Sequence, residues 1–150
     1  MTTYMETKNS PIIADTSALV SLINASDSNH AQAVKEATRL LSADRPIMLP
    51  GEVFSETINI LGKKFGHGFA VAAARKFLRA DSQYFIVETD IERLRVALVI
   101  FNKQKESVSF TDCIVMAVAD QYHTKDVFGF DRQFEAAGYR PLKPFTNQAA

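Results

Sequence analysis

Pro11-Ile12-Ile13-Ala14-Asp15-Thr16-Ser17-Ala18-Leu19-Val20 decides the fold. Pro11 to Ala14 is a short apolar run of the buried-strand type, and it stops at an acid. Thr16 to Ala25 then reads as a helix, with Leu19, Val20, Leu22 and Ile23 apolar. A strand that is apolar at every position is covered on both faces, as in parallel sheets wrapped by helices.

The same alternation recurs along the chain. Asp27-Ser28 starts a second helix, in which Ala31, Val34, Ala37, Leu40 and Leu41 repeat at spacings of three or four. Arg45 to Leu49 is the next strand. Pro50 opens a third helix with Val53, Phe54, Ile58, Leu61 and Phe65 apolar, and Gly66 closes it. A fourth helix is expected from about Phe69 to Ala80, and a strand at Tyr84 to Val87. Asp90 caps a fifth helix running to about Lys105, with Leu94, Ala97, Leu98 and Phe101 on one face. Ser109 starts a sixth, apolar at Ile114, Val115, Ala117 and Val118. Asp126 to Phe130 is a further strand that ends at Asp131. Short apolar strands alternating with helices predict an α/β fold with three α/β/α layers around a central parallel sheet. In such sheets the residues after the strands gather at one edge, where ligands bind.

The 150 residues are one ordinary domain in length, with a core over about residues 12–145. Residues 1–10 and 146–150 read as loose ends. Hydrophobic residues at 47% and charged residues at 23% exclude a disordered chain. Lys+Arg and Asp+Glu are 17 each, so the formal net charge is zero. That argues against a protein enveloped by nucleic acid or pinned to an anionic membrane, and it leaves room for a local basic patch. The single cysteine, Cys113, makes no internal disulfide and reads as a packed core thiol, which suits a reducing compartment. No stretch approaches the roughly 20 apolar residues of a membrane span. The polar segment 1–10 lacks a signal core, so the sequence reads as soluble and cytoplasmic.

Four carboxylates stand out by position: Asp15 after the first strand, Glu56 in the third helix, Asp112 in the first turn of the sixth, and Asp131 after the last strand. Each has a plain structural role open to it. Asp15 and Asp131 can cap the helices that follow them, Asp112 with Ser109 fits a capping box, and Glu56 can be a solvated helix residue. Asp112 and Glu56 nevertheless have apolar neighbours: Phe110 and Ile114 for the first, Val53, Ile58 and Ile60 for the second. An acid beside a buried face needs a partner, and a metal ion is one.

The ordered strings Ile12-Ile13-Ala14-Asp15-Thr16-Ser17, Glu56-Thr57-Ile58-Asn59-Ile60-Leu61, Ser109-Phe110-Thr111-Asp112 and Gly129-Phe130-Asp131-Arg132-Gln133-Phe134 together resemble the PIN-domain family. Within it they are most similar to the VapC-like toxin ribonucleases of toxin–antitoxin pairs. The resemblance spans roughly residues 12–145. It implies a parallel α/β/α fold, a Mg²⁺ or Mn²⁺ site, and cleavage of single-stranded or looped RNA. It also implies that Asp15, Glu56, Asp112 and Asp131 are catalytic metal ligands, directly or through water, with Thr16 or Ser17 and Thr111 as supporting hydroxyls. A cognate antitoxin and a homodimer are the partners expected. One departure stands out: many relatives carry Thr or Ser two residues before the last acid, and here that place is Gly129, so a hydroxyl that would orient a carboxylate is missing.

Electrostatics agrees with a cation. Two carboxylates about 4 Å apart repel by about 4 kcal/mol at an effective dielectric near 20. A hard divalent ion with oxygen ligands relieves that repulsion, and either one or two ions suit four acids.

Other chemistries lack their signatures. No serine sits in G-x-S-x-G, and there is no H-E-x-x-H. His30, His67 and His123 are scattered and read as surface or helix-end residues. Gly62 to Gly68 resembles a phosphate loop only in composition; it follows a helix and reads as a turn. Lys63, Lys64, Arg75, Lys76 and Arg79 cluster around the third-to-fourth helix hairpin, as a solvated face or as a phosphate-tracking rim. The same hairpin carries Phe65, Phe69 and Phe77, some of which are expected to receive an apolar segment of a partner. Two other functional readings stand beside the toxin. One is a PIN nuclease of RNA processing without an antitoxin, and the other a non-catalytic PIN-like module that binds RNA or protein.

Overall fold

The computed structural model describes residues 10–145. Its elements run β1 (Ile12–Ala14), α1 (Thr16–Ile23), α2 (His30–Ser42), β2 (Ile47–Pro50), α3 (Gly51–Phe65), α4 (His67–Leu78), β3 (Tyr84–Val87), α5 (Ile91–Asn102), α6 (Phe110–Gln121), β4 (Val127–Phe128) and α7 (Arg132–Ala136). The loose ends expected at residues 1–9 and 146–150 lie outside the described residues.

Four parallel strands form one sheet in the order β3-β2-β1-β4. Ile12 pairs with Ile47, Ile47 with Tyr84, and Ile13 with Val127. The chain builds the sheet outward from β1 to β3, then returns to add β4 on the other side of β1. The order therefore reverses between β1 and β4, and in open α/β sheets the crevice at such a reversal is where ligands bind. Asp15 follows β1 and Asp131 follows β4 by three residues, so both stand at that crevice. The Asp15 amide donates to the Phe128 carbonyl at 2.9 Å, which ties the two strand ends together.

Core burial explains the apolar residues of β1, β2 and β4, whereas the edge strand β3 leaves Phe85 and Ile86 exposed, against the cover on both faces expected of an all-apolar strand. Ile12, Ile13, Ala14, Ile47, Leu49, Val127 and Phe128 are all buried. Helix α6 is buried at every position from Asp112 to Ala119, the state expected of a helix apolar all round. It packs on β1 and β2 and is covered on its outer side by α5. That placement corrects the face expected for α5. Only Ala97 is buried there, while Leu94, Leu98 and Phe101 are exposed. An outer helix needs a single narrow contact stripe, and small Ala97 supplies the close approach.

Other boundaries shift by local chemistry. Helix α2 starts at His30 rather than at Asp27-Ser28, because Asp27 Oδ1 accepts the Asn29 amide at 2.8 Å in a turn before the helix. Pro50 ends β2 and α3 begins at Gly51. Gly66, at φ 96°, is the one residue between α3 and α4, so α4 starts at His67 and ends at Leu78. The strand expected over 126–130 is only Val127–Phe128, since Gly129 and Phe130 already turn toward the crevice. His30 and His67 open helices and His123 follows one, as their helix-end reading required. At the opposite end of β4, Asp126 accepts from Arg45 at 2.5 Å and from Arg140 at 2.7 Å, binding three loops.

Candidate metal centre and active site

The crevice between β1 and β4 opens into a cleft of about 610 Å³ whose walls include Asp15, Glu56, Asp112 and Asp131. Asp15, Asp112 and Asp131 each offer a carboxylate oxygen, and these atoms all lie within 4.8 Å of one another. The three come from the end of β1, the first turn of α6 and the loop after β4, so the strand order and the packing of α6 on the sheet together bring them close. Glu56 reaches the same cleft from α3 but is exposed and stands outside that close trio. Its expected burial beside an apolar face does not hold. Val53, Thr57 and Leu61 take the inward face of α3, while Glu56, Ile60 and Lys64 recur every four residues along the cleft side.

The acids are held by their neighbours. The Ser17 hydroxyl donates to Asp15 Oδ2 at 2.9 Å and accepts from the Phe130 amide at 2.9 Å. Asp15 also caps α1 through the Ser17 amide, at 3.4 Å. Asp112 closes a capping box with Ser109, and its Oδ2 additionally accepts from Gln133 Nε2 at 2.8 Å. Capping and convergence thus coexist in Asp15 and Asp112. Asp131 precedes α7 but makes no side-chain capping bond, leaving its carboxylate for the cleft. Thr16 lines the cleft at 8% exposure, and its Oγ1 has no hydrogen-bond partner.

The trio is electrostatically strained. Burial pushes the Asp15 carboxyl up to about 7, against the relief given by Ser17, and nearby Asp131 and Asp112 push the same way. Asp131 is raised too, by burial and then by Asp112. Carboxylates crowded like Asp15 and Asp131 favour whatever positive charge neutralises them. An all-oxygen set of three acids with a buried, unpartnered hydroxyl beside it suits a hard cation such as Mg²⁺ or Mn²⁺.

Residues 12–138 match the family model described as PIN domain. The chain belongs to the PIN-domain family. It is 31% identical over 134 residues to the 23S rRNA-specific endonuclease VapC20 of Mycobacterium tuberculosis, in strains CDC 1551 and H37Rv alike, covering 89% of this chain and 98% of that protein. The crystal structure of M. tuberculosis VapC20, a sarcin–ricin loop cleaving toxin, superposes with a TM-score of 0.75 at 29% identity, over 89% of this chain and 99% of that one. The α/β/α architecture read from the alternating pattern is the architecture of this fold.

Gln133, which holds Asp112, and the cleft acid Asp27 gave no signal of these roles in the sequence. Gln133 lies 21 positions from Asp112, and nothing local links the two. Asp27 lines the cleft as a further acid, with Oδ1 held by the Ser21 hydroxyl at 3.0 Å. Lys64, read as one of a basic cluster, is the cleft's one lining cation among the described residues. Its i+8 spacing from Glu56 was the available clue.

A larger groove, of about 940 Å³, lies elsewhere, along the α3–α4 hairpin. Ile58, Ala70, Val71, Ala74 and Leu78 form its apolar floor, with Lys63, Arg75 and Arg79 on its rim. Among the described residues, no helix is long and apolar enough to cross a membrane.

Proposed function

We propose that this chain, as a single PIN domain, is a metal-dependent endoribonuclease of the toxin type that acts on single-stranded or looped RNA in the cytoplasm. The observation that carries the reading is the convergence of three carboxylates from distant segments at the topological reversal of the sheet. The relatives' printed activity, cutting 23S rRNA at the sarcin–ricin loop, makes a looped ribosomal RNA the first substrate to test.

In this reading Asp15, Asp112 and Asp131 hold Mg²⁺ or Mn²⁺, with Glu56 as the fourth acid from α3. The bound ion supplies Lewis-acid activation of water and neutralises charge at the scissile phosphate. The chain's own groups position and exclude. Ser17 fixes Asp15, Ser109 and Gln133 fix Asp112, and Lys64 offers a cation to the phosphate backbone at the α3 side of the cleft.

The partner assignments rest on two apolar surfaces. The α3–α4 groove suits an antitoxin segment: Ala70 and Ala74 allow close approach, and Lys63, Arg75 and Arg79 pair with acids. The exposed Ile91, Leu94, Leu98 and Val99 of α5 suit a homodimer.

The test is a cleavage assay on a sarcin–ricin hairpin, tRNA and mRNA with Mg²⁺, Mn²⁺ or chelator, beside Asp15→Asn. Metal-dependent cutting that Asp15→Asn abolishes is expected. Equal cutting by both proteins, with or without metal, ends the reading of the acids as a metal-dependent nuclease centre.

A further inference from the structure

A second cavity of about 610 Å³ adjoins the acidic cleft, and Phe130 and Pro144 line both. We propose that this cavity, between α7 and the segment after Tyr139, is a binding subsite for the RNA nucleotide next to the scissile phosphate. Arg132 and Lys143 are its phosphate-contacting residues. The inference rests on the ribonuclease reading and adds to it a site outside the acids.

The two cavities have opposite charge. Five acids and one base, Lys64, line the cleft. Arg132, Arg140 and Lys143 line the neighbouring groove against one acid, Glu135. A cleft that gathers cations and a groove that gathers anions, sharing a wall, fit a strand whose one phosphate sits at the metal and whose next sits among the bases. A wholly anionic site would repel the rest of the strand.

The cations are available. Arg140 is already bonded to Asp126 at 2.7 Å, but Arg132 and Lys143 are exposed and make no salt bridge among the described residues. Arg132 follows Asp131 directly, so its Cα lies about 3.8 Å from that of the cleft acid. Between the cations the wall is apolar: Pro141, Leu142 and Pro144, half-buried, beside Tyr139. Such a surface can take the apolar face of a base by burial, since Tyr139 and Phe130 themselves are buried, while the rim takes phosphate.

The groove is also preformed. The Leu142 amide donates to the Gly129 carbonyl at 2.7 Å, and the Phe145 amide to Asn29 Oδ1 at 2.7 Å. These bonds fasten the segment carrying Lys143 and Pro144 to the end of β4 on one side and to the start of α2 on the other. Because both Gly129 and Asn29 border the acidic cleft, the groove is set in register with the acids.

The experiment compares the wild-type chain, the Arg132→Gln/Lys143→Gln pair, and a Lys103→Gln/Lys105→Gln pair that removes the same charge from the exposed loop after α5. Steady-state cleavage of the hairpin RNA is measured across a salt series. The groove pair should raise KM roughly tenfold with kcat within about threefold. It should also flatten the log KM against log salt slope by about 1.4, at about 0.7 per lost single-strand phosphate contact. The loop pair should match wild type. KM and slope equal to those of the loop pair would overturn the subsite while leaving the ribonuclease reading intact. A fall in kcat at unchanged KM would also overturn it, placing Arg132 on Asp131 rather than on RNA. Loss of antitoxin binding with unaltered RNA kinetics would assign the groove to protein instead. A wild-type chain that cuts none of the RNAs fails the parent reading, and the subsite with it.

Discussion

A Cβ added at Gly129 would stand 2.7 Å from the Cβ of Asp15 and 3.1 Å from its Oδ2. The glycine that departs from the family pattern therefore stands just after β4 where the space beside the first acid admits no side chain. The hydroxyl absent from position 129 has a counterpart in Ser17, which bonds both Asp15 and the Phe130 amide.

Gly129→Ser should not improve this enzyme. The clash is with a Cβ close to the backbone, so Asp15 or the segment after β4 must move. A cost of roughly 1–3 kcal/mol, typical of overpacking, is expected with a fall in cleavage. Ser17→Ala should lower activity by a similar route with less loss of stability. Thermal melts and cleavage rates of the two variants check this, and a Gly129→Ser protein more active than wild type would refute it.

Asp15→Asn separates metal binding from helix capping. Removing one charge from the trio should leave the metal-free fold no less stable, since Asn caps about as well as Asp. Mn²⁺ should stabilise wild type by about 2.7 kcal/mol at a hundredfold excess over Kd, seen as a higher melting temperature, and this gain should shrink in the variant together with cleavage. Melts with and without Mn²⁺ read both effects; an unchanged Mn²⁺ response would remove Asp15 from the ligand set.

The pH dependence of the metal-free fold has a definite sign. Asp15 ordinarily titrates near 3.8 and is raised to about 7 in the fold, so between these values the native state binds more protons than the unfolded one. Stability should therefore fall as pH rises from about 4 to about 7, by a few kcal/mol at the outside. Asp131 adds in the same direction. Asp126 acts oppositely: although burial opposes it, the bonds from Arg45 and Arg140 hold its carboxyl below the usual range, so its contribution is lost as pH falls below about 4. Saturating Mn²⁺ should flatten the upper limb. Denaturant midpoints from pH 3 to pH 8, with and without Mn²⁺, test the prediction, and a metal-free midpoint that climbs from pH 4 to pH 7 contradicts it.

Gln133→Leu should loosen Asp112 without unfolding α7, because Gln133 is only half-buried and Phe134 carries the packing. Loss of a hydrogen bond to a ligand commonly weakens metal affinity about 10- to 100-fold. The Mn²⁺ concentration for half-maximal cleavage should rise accordingly. The maximal rate at saturating metal should recover most of the wild-type value. An unchanged Mn²⁺ midpoint would show that the amide does not matter.

The sequence by itself determined the alternation of apolar strands and helices, hence the parallel sheet, because backbone burial demands apolar residues at consecutive strand positions. It also placed Asp15, Asp112 and Asp131 at strand ends and a helix start, since those positions are local. Tertiary structure alone decided the rest. Strand order put β4 beside β1, and so Asp131 beside Asp15, although they are far apart in the chain. The rotation of α3 left Glu56 exposed on the cleft wall, and the outer position of α5 turned Leu98 to solvent; a 3.6-residue period gives a face but not the direction it points. Gln133 on Asp112, Ser17 on the Phe130 amide and the space denied at Gly129 are contacts across segments, fixed by how the elements pack and carried by no local pattern.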